Sequence, residues 1–188
     1  SKQKKKPIAV LHIGPPKTAS SSVQYALRQD AAINAITDDG YSMPWEIQGT
    51  NAHSEYAFAS CFFTEKRKSK MALDRRYPLC PEGELSLIEQ LGEEGKNVFL
   101  SCEDFSAKAL NVPKLADFLE PIYDVTVVYA HRWFHDWIFS MYHQFEKGRL
   151  RAAHTHFDDF VAARGSGAVY YIDFVDFFNM VYRKDFQW

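Results

Sequence analysis

Apolar positions fall along this chain in two rhythms. Ile8-Ala9-Val10-Leu11-His12-Ile13 is a short, nearly continuous apolar run closed by Gly14-Pro15-Pro16. That is the pattern of a buried strand ending in a tight turn. Asn97-Val98-Phe99-Leu100-Ser101 and Val125-Thr126-Val127-Val128-Tyr129-Ala130 repeat it and predict two more strands, the last of the continuous apolar type. The second rhythm is helical. From Ser21 onward, Val23, Ala26 and Leu27 are spaced i, i+3, i+4. A helix is predicted from about Ala52 to Phe62. Another over Glu84 to Leu91 carries Leu85, Leu87, Ile88 and Leu91 and is stopped by Gly92. A third spans Val112–Leu119, with Pro113 in its first turn. The longest stripe is Phe134, Trp137, Ile138, Met141, Tyr142 and Phe145. Two tail helices are predicted near 157–164 and 172–183, divided by Gly165-Ser166-Gly167. Residues 37–50 are turn-rich. Lys66, Arg67, Lys68, Lys70, Arg75 and Arg76 fall in a polar, basic connection closed by Pro78 and Pro81.

Strands separated by helices imply right-handed crossovers. The expected fold class is therefore α/β, a central parallel sheet with helices on both faces. Ligands bind such sheets at the carboxyl ends of the strands, here Ile13, Ser101 and Ala130. The 188 residues suit a single domain, 1–188, preceded within it by a basic arm over 1–7 that holds Lys2, Lys4, Lys5 and Lys6. Lys plus Arg is 22 against Asp plus Glu 24, a near-balance that excludes a generally basic nucleic-acid coat. No run of 18 or more apolar residues exists to span a membrane, and SKQKKKP carries no signal-peptide pattern. The chain begins at Ser1 and ends on Trp188 in an aromatic stretch, and both ends read as cut.

Cys61, Cys80 and Cys102 are too few for a disulfide scaffold, and nothing has zinc spacing, so no metal site is expected. They read as buried free thiols. The alternative is a Cys61–Cys80 bridge with Cys102 reduced, which fits a secretory lumen. The compartment stays open between the cytoplasm and a Golgi lumen reached through an anchor outside this chain.

The first strand end holds the strongest chemistry. Gly14-Pro15-Pro16-Lys17-Thr18-Ala19-Ser20-Ser21-Ser22 leads into a helix. Unpaired N–H groups at a helix start, the helix dipole, a lysine and several hydroxyls together make an anion site. The bland reading is a Ser-rich cap with a surface lysine. The nucleoside-triphosphate loop G-x-x-x-x-G-K-[ST] is not present, because prolines stand where its glycine would precede the lysine. The shorter loop suits one phosphate-sized group rather than three.

These residues, HIGPPKTASSSVQ, resemble the 5′-phosphosulfate loop of sulfotransferases that use 3′-phosphoadenosine-5′-phosphosulfate (PAPS), where a strand is followed by P-K-T-G-T-[TS]. The resemblance, to the carbohydrate-type members, implies a P-loop NTPase-like fold and PAPS as the nucleotide co-substrate. It implies that Pro16 and Ala19 belong to the cofactor-binding loop, that Lys17 contacts the 5′-phosphate and the bridging oxygen, and that Thr18, Ser20 and Ser21 hold the phosphate. Ala19 stands where the family commonly has Gly, and Ser22 where many members stack a Trp on adenine. The family also has an Arg at the end of a later strand and a Ser eight positions on, both gripping the 3′-phosphate. Arg132 and Ser140 match that spacing. At about 100° per residue, Ser140 lies off the apolar stripe, and an Arg at a strand end suits a bidentate anion. The bland alternative is an Arg in an ion pair, with Asp136 for example, and an incidental Ser. The resemblance covers residues 8–30 and 97–145. The family's later basic, Gly-containing loop is not found. Arg149, Arg151 and Arg164 do not replace it, so that part of the family domain is expected beyond Trp188 or is absent.

Sulfuryl transfer needs a stabilised leaving phosphate, which Lys17 would supply, and a base for the acceptor hydroxyl. Two bases are candidates: His53, in Asn51-Ala52-His53, and Glu103, two residues past the second strand. Each has a structural alternative as a cap. His12, inside the first strand, reads as a satisfied core histidine. His131, His135, His143, His154 and His156 read as structural or solvated. The acceptor is expected to bear a hydroxyl or amine and to be a carbohydrate. An acidic glycan suits the basic segment 66–76, against the alternative of a solvated loop. Two other functions compete: a P-loop nucleotide kinase or nucleotide-binding protein, and a non-catalytic module that kept the fold.

Overall fold

The computed structural model describes residues 5–14, 37–44, 56–72, 79–107, 109–130, 132–147 and 156–163, with positions 23 and 26 helical. Four strands, β1 (Ile8–Ile13), β2 (Tyr41–Ser42), β3 (Asn97–Ser101) and β4 (Asp124–Tyr129), form one parallel sheet in the order β2-β3-β1-β4. Around it lie α1 (Tyr56–Cys61), α2 (Glu65–Ala72), α3 (Glu84–Glu93), a 3₁₀ turn (Glu103–Ser106), α4 (Val112–Leu119), α5 (Phe134–Lys147) and α6 (Phe157–Ala163). The architecture is α/β, as the alternation of periods requires. No helix among the described residues is long and apolar enough to cross a membrane.

Register puts Ala9, Leu11, Ile13, Val98, Leu100, Val125 and Val127 on one face. Against that face pack Phe58 of α1, Ile88 and Leu91 of α3, and Leu115 and Leu119 of α4. The expectation of helices on the second face falls on connections outside the described residues. That second face carries Val10, His12, Phe99, Ser101 and Val128. β4 is not the uniformly buried strand its apolar run suggests. It ends the described sheet, and its burial alternates, with Val128 44% exposed. Phe58, Phe62, Phe105 and Phe118 form a ring cluster with centroids 5.1 to 6.2 Å apart. Such pairs contribute roughly 0.5–1.5 kcal/mol each beyond their buried area. The cluster fixes the 3₁₀ turn to α1 and α4.

Several local expectations are corrected. The turn-rich stretch contains β2, two residues entered from Gly40 at φ 81°. The basic connection contains the helix α2. The Thr64 carbonyl accepts from Arg67 N at 2.9 Å and from Lys68 N at 3.0 Å, and Lys68 pairs with Glu65 at 3.2 Å. α3 is not stopped by Gly92, which is buried inside it. It runs one residue further, to Glu93, and ends in a Schellman cap, with Lys96 N donating to the Leu91 carbonyl, Gly95 N to the Gly92 carbonyl, and Gly95 at φ 75°. α1 covers the end of the expected 52–62 helix, and residues 51–55 lie outside the described set. α4 matches its prediction, with Asn111 accepting from Lys114 N at 3.1 Å as the cap. α5 buries Trp137 and Ile138 against Phe160 of α6, with Met141 and Tyr142 alongside. The tail helix at 172–183 lies outside the described residues.

The free-thiol expectation is overturned for two cysteines. Cys61 and Cys80 are bridged with Cα atoms 4.5 Å apart, and Cys102 is a buried thiol outside the bridge. The bridge joins the end of α1 to the segment before α3.

Candidate functional site at the carboxyl edge of the sheet

The topology singles out one place on the sheet rim. The chain leaves β1 toward the β2 edge and leaves β3 toward the β4 edge, yet β1 and β3 are neighbours. Adjacent strand ends with opposite departures open a crevice where α/β sheets bind ligands. Pairing continues past the strand ends on both sides of β1. Ile13 is the register partner of Tyr129, Ala130 N donates to the Ile13 carbonyl at 2.8 Å, and Cys102 N donates to the His12 carbonyl at 3.4 Å.

The 3₁₀ turn closes the β3 side. The Ser106 hydroxyl lies 3.0 Å from the Gly14 carbonyl and 2.6 Å from the Glu103 carbonyl. Ser106 thus ties the first residue after β1 to the turn after β3, while the fully buried Phe105 anchors that turn in the core. Glu103 opens the turn, half-buried at the crevice. Beside it, burial pushes the Asp104 carboxyl above the usual range. Arg67 opposes that rise and the Glu103 charge adds to it. Arg67 of α2 reaches Asp104 at 3.8 Å and sits 5.8 Å above the Phe63 ring.

Under the crevice, His12 Nδ1 and Ser101 Oγ are hydrogen-bonded at 2.8 Å across β1 and β3, and the His12 ring stacks on Phe99 at 6.0 Å. Burial lowers the His12 pKa. It is a satisfied core histidine, as its place in the strand implies.

On the β4 side, Arg132 follows the strand end and is half-buried, as is Ser140 on α5. The Trp133 carbonyl accepts the Trp137 N–H at 2.9 Å, so the chain turns into α5 directly after Arg132. The Trp133 side chain is 75% exposed. Glu103 and Arg132 are thus both set at the carboxyl edge, on the β3 and β4 sides of β1. Pro16, Lys17, Thr18, Ala19, Ser20, Ser21 and His53 lie outside the described residues. Sequence reading missed Ser106, the Arg67–Asp104 pair and the use of Ser101 as partner to His12.

A groove of about 580 Å³ opens at the opposite, amino edge, lined by Lys6, Asp117, Glu120, Pro121, Tyr123, Asp124 and Val125. Its three carboxylates repel phosphate. Lys6 Nζ is held by the Glu120 carbonyl at 2.7 Å. The amino-edge groove therefore does not suit a phosphate, and the carboxyl edge is kept as the candidate site.

Comparison with protein families, characterised proteins and solved structures gives no significant match.

Proposed function

We propose that this chain is a PAPS-dependent sulfotransferase that passes a sulfuryl group to a hydroxyl or amine of a carbohydrate acceptor. One observation carries the reading. The segment that starts at Gly14 with the Pro-Lys-Thr loop and the segment that leads to Arg132 leave neighbouring parallel strands whose ends, Ile13 and Tyr129, are in register. Two anion grips on adjacent strand ends suit a nucleotide with phosphates at its 5′ and 3′ positions. A P-loop-like fold is part of the same reading. PAPS supplies the activated sulfuryl group. Lys17 neutralises the leaving phosphate, Thr18, Ser20 and Ser21 donate to it, and Arg132 with Ser140 holds the 3′-phosphate. Glu103, at the crevice after β3, or His53 takes the acceptor proton. The Cys61–Cys80 bridge supports folding in an oxidising, secretory-type compartment.

The test is a thermal-shift series with 3′,5′-bisphosphoadenosine, AMP and ATP–Mg²⁺. The bisphosphate is expected to stabilise the protein most, by about 2.7 kcal/mol at a hundredfold excess over Kd. Lys17→Ala and Arg132→Ala each abolish the shift. No shift at millimolar bisphosphate overturns the reading, and a larger one with ATP–Mg²⁺ favours a nucleotide kinase.

A further inference from the structure

We propose that Trp133 is a stacking platform for the purine ring of the nucleotide, on the rim directly beside Arg132. The proposal rests on the reading of the carboxyl edge as the nucleotide site. A single exposed ring is ordinary on a protein surface; this one is informative by its place. Trp133 is 75% exposed, the most open of the large apolar side chains among the described residues. It follows Arg132 directly, and its carbonyl accepts the Trp137 N–H at 2.9 Å. Trp133 therefore caps α5, since a cap residue's carbonyl takes the first intrahelical bond. Its backbone is fixed by the helix it opens and is not carried on a free loop. Ser140 comes seven positions later, two turns of helix, and so lies on the same side of α5. The ring stands at the head of the face that carries Ser140, with Arg132 as its chain neighbour.

The other large rings of α5 serve a different purpose. Trp137 is buried and packs with Phe160 of α6. Phe139 is 52% exposed, but it meets His143 at 4.5 Å and Phe157 at 5.8 Å. Both rings pack toward α6 and hold the helix pair together, whereas Trp133 keeps most of its surface in solvent at the sheet edge. An open indole face beside a guanidinium suits a ligand that carries a flat ring close to an anion. A nucleotide whose 3′-phosphate meets Arg132 and Ser140 is such a ligand. Base–aromatic stacking needs no hydrogen-bond partner, so one open ring is enough to hold a base. A purine covers more of the indole than a pyrimidine does, so stacking also selects between the two ring sizes.

The experiment compares, by calorimetry on the intact chain, 3′,5′-bisphosphoadenosine, cytidine 3′,5′-bisphosphate and 1,2-dideoxyribose 3,5-bisphosphate, which has no base. Wild type is expected to bind the purine about tenfold more tightly than the base-free sugar, with cytidine between them. Trp133→Ala is expected to bring the three together, and Trp133→Phe to restore most of the difference. Phe139→Ala, which removes the other open ring of α5, is expected to leave the order and spacing unchanged. Equal binding of bisphosphoadenosine and the base-free sugar by wild type, a wild-type ratio in Trp133→Ala, or an equal loss in Phe139→Ala overturns the platform. If Trp133→Ala does not fold, tryptophan emission decides. Bound purine is expected to quench it in wild type and not in Trp133→Phe, and quenching that survives in Trp133→Phe overturns the platform. Adenosine and AMP are titrated alongside. Bisphosphate binding with a flat Trp133 series sinks the platform alone. Adenosine and AMP that bind as tightly as the bisphosphate, and lose affinity in Trp133→Ala, keep the platform and sink the sulfotransferase reading. Binding of none of them overturns both.

Discussion

At the scale of single residues, the crevice depends on polar groups that join strands far apart in sequence. Ser106 is one. Its hydroxyl sits within hydrogen-bond reach of two carbonyls, Gly14 and Glu103, and is buried. Ser106→Ala leaves the Gly14 carbonyl without this partner. It is expected to lower stability by about 1–2 kcal/mol, read from urea unfolding, and to weaken bisphosphoadenosine binding because the start of the Lys17 loop loses its tether. Unchanged affinity would detach Ser106 from the site. His12 is the other. Its pKa is lowered by burial, so the folded chain binds fewer protons than the unfolded chain between that lowered value and 6.5. Stability therefore rises with pH through that window and falls on acidification below about 6.5. Unfolding measured from pH 7 to pH 5 is expected to show this loss in wild type and a smaller loss in His12→Gln. Equal slopes would mean that His12 titrates normally.

At the scale of elements, the packing of α3 onto the entry to β4 is set by a missing side chain. A Cβ on Gly92 would overlap the Ile122 methyl and press on the Tyr123 ring at 3.2 Å. Alanine improves helix propensity by about 1 kcal/mol, but overpacking in a tight core costs about 1–3 kcal/mol. The Tyr123 hydroxyl is fixed by its bond to the Ile88 carbonyl at 2.7 Å, so the ring has little room to yield. Gly92→Ala is expected to lower the melting temperature, and a rise would show that the contact relaxes. This glycine also shows where sequence reading stops. As punctuation it predicts a helix end; only the neighbouring Ile122 reveals a packing role. β1, β3, α4 and α5 were legible because apolar runs or stripes fix their period. α2 was not, because its sequence has no apolar stripe. Its helix rests on backbone bonds to Thr64 and on the Glu65–Lys68 pair, which look like loop chemistry. β2 is too short for any period. The site divides in the same way. Glu103 and Arg132 are picked out by their distance to a strand end, and Ser140 only by the spacing that the family resemblance implies, whereas Ser106–Gly14 and Arg67–Asp104 are contacts across the fold that no local pattern encodes.

At the scale of the whole molecule, the sheet order makes the crevice and the bridge holds one wall of its rim. Cys61–Cys80 closes a segment of separation 19 that contains α2 and Arg67. The junction is supported on both sides. Cys80 adopts φ 43°, an uncommon conformation for a residue with a side chain, and its N–H donates to Ser60 Oγ at 2.6 Å. Ser60 in turn donates to the Ala57 carbonyl at 2.7 Å. These contacts do not involve sulfur, so the native arrangement of α1 and the α3 entry is expected to survive loss of the bridge. The main effect then falls on the unfolded chain, which regains the entropy of an open loop. For a loop of this length that is worth about 3 kcal/mol. Cys61→Ser with Cys80→Ser is therefore expected to unfold at lower urea with a steeper m-value, because the unlinked denatured chain exposes more surface. The two readings separate the causes. A lower midpoint with an unchanged m-value would mean that the bridge acts on the native packing around Ser60.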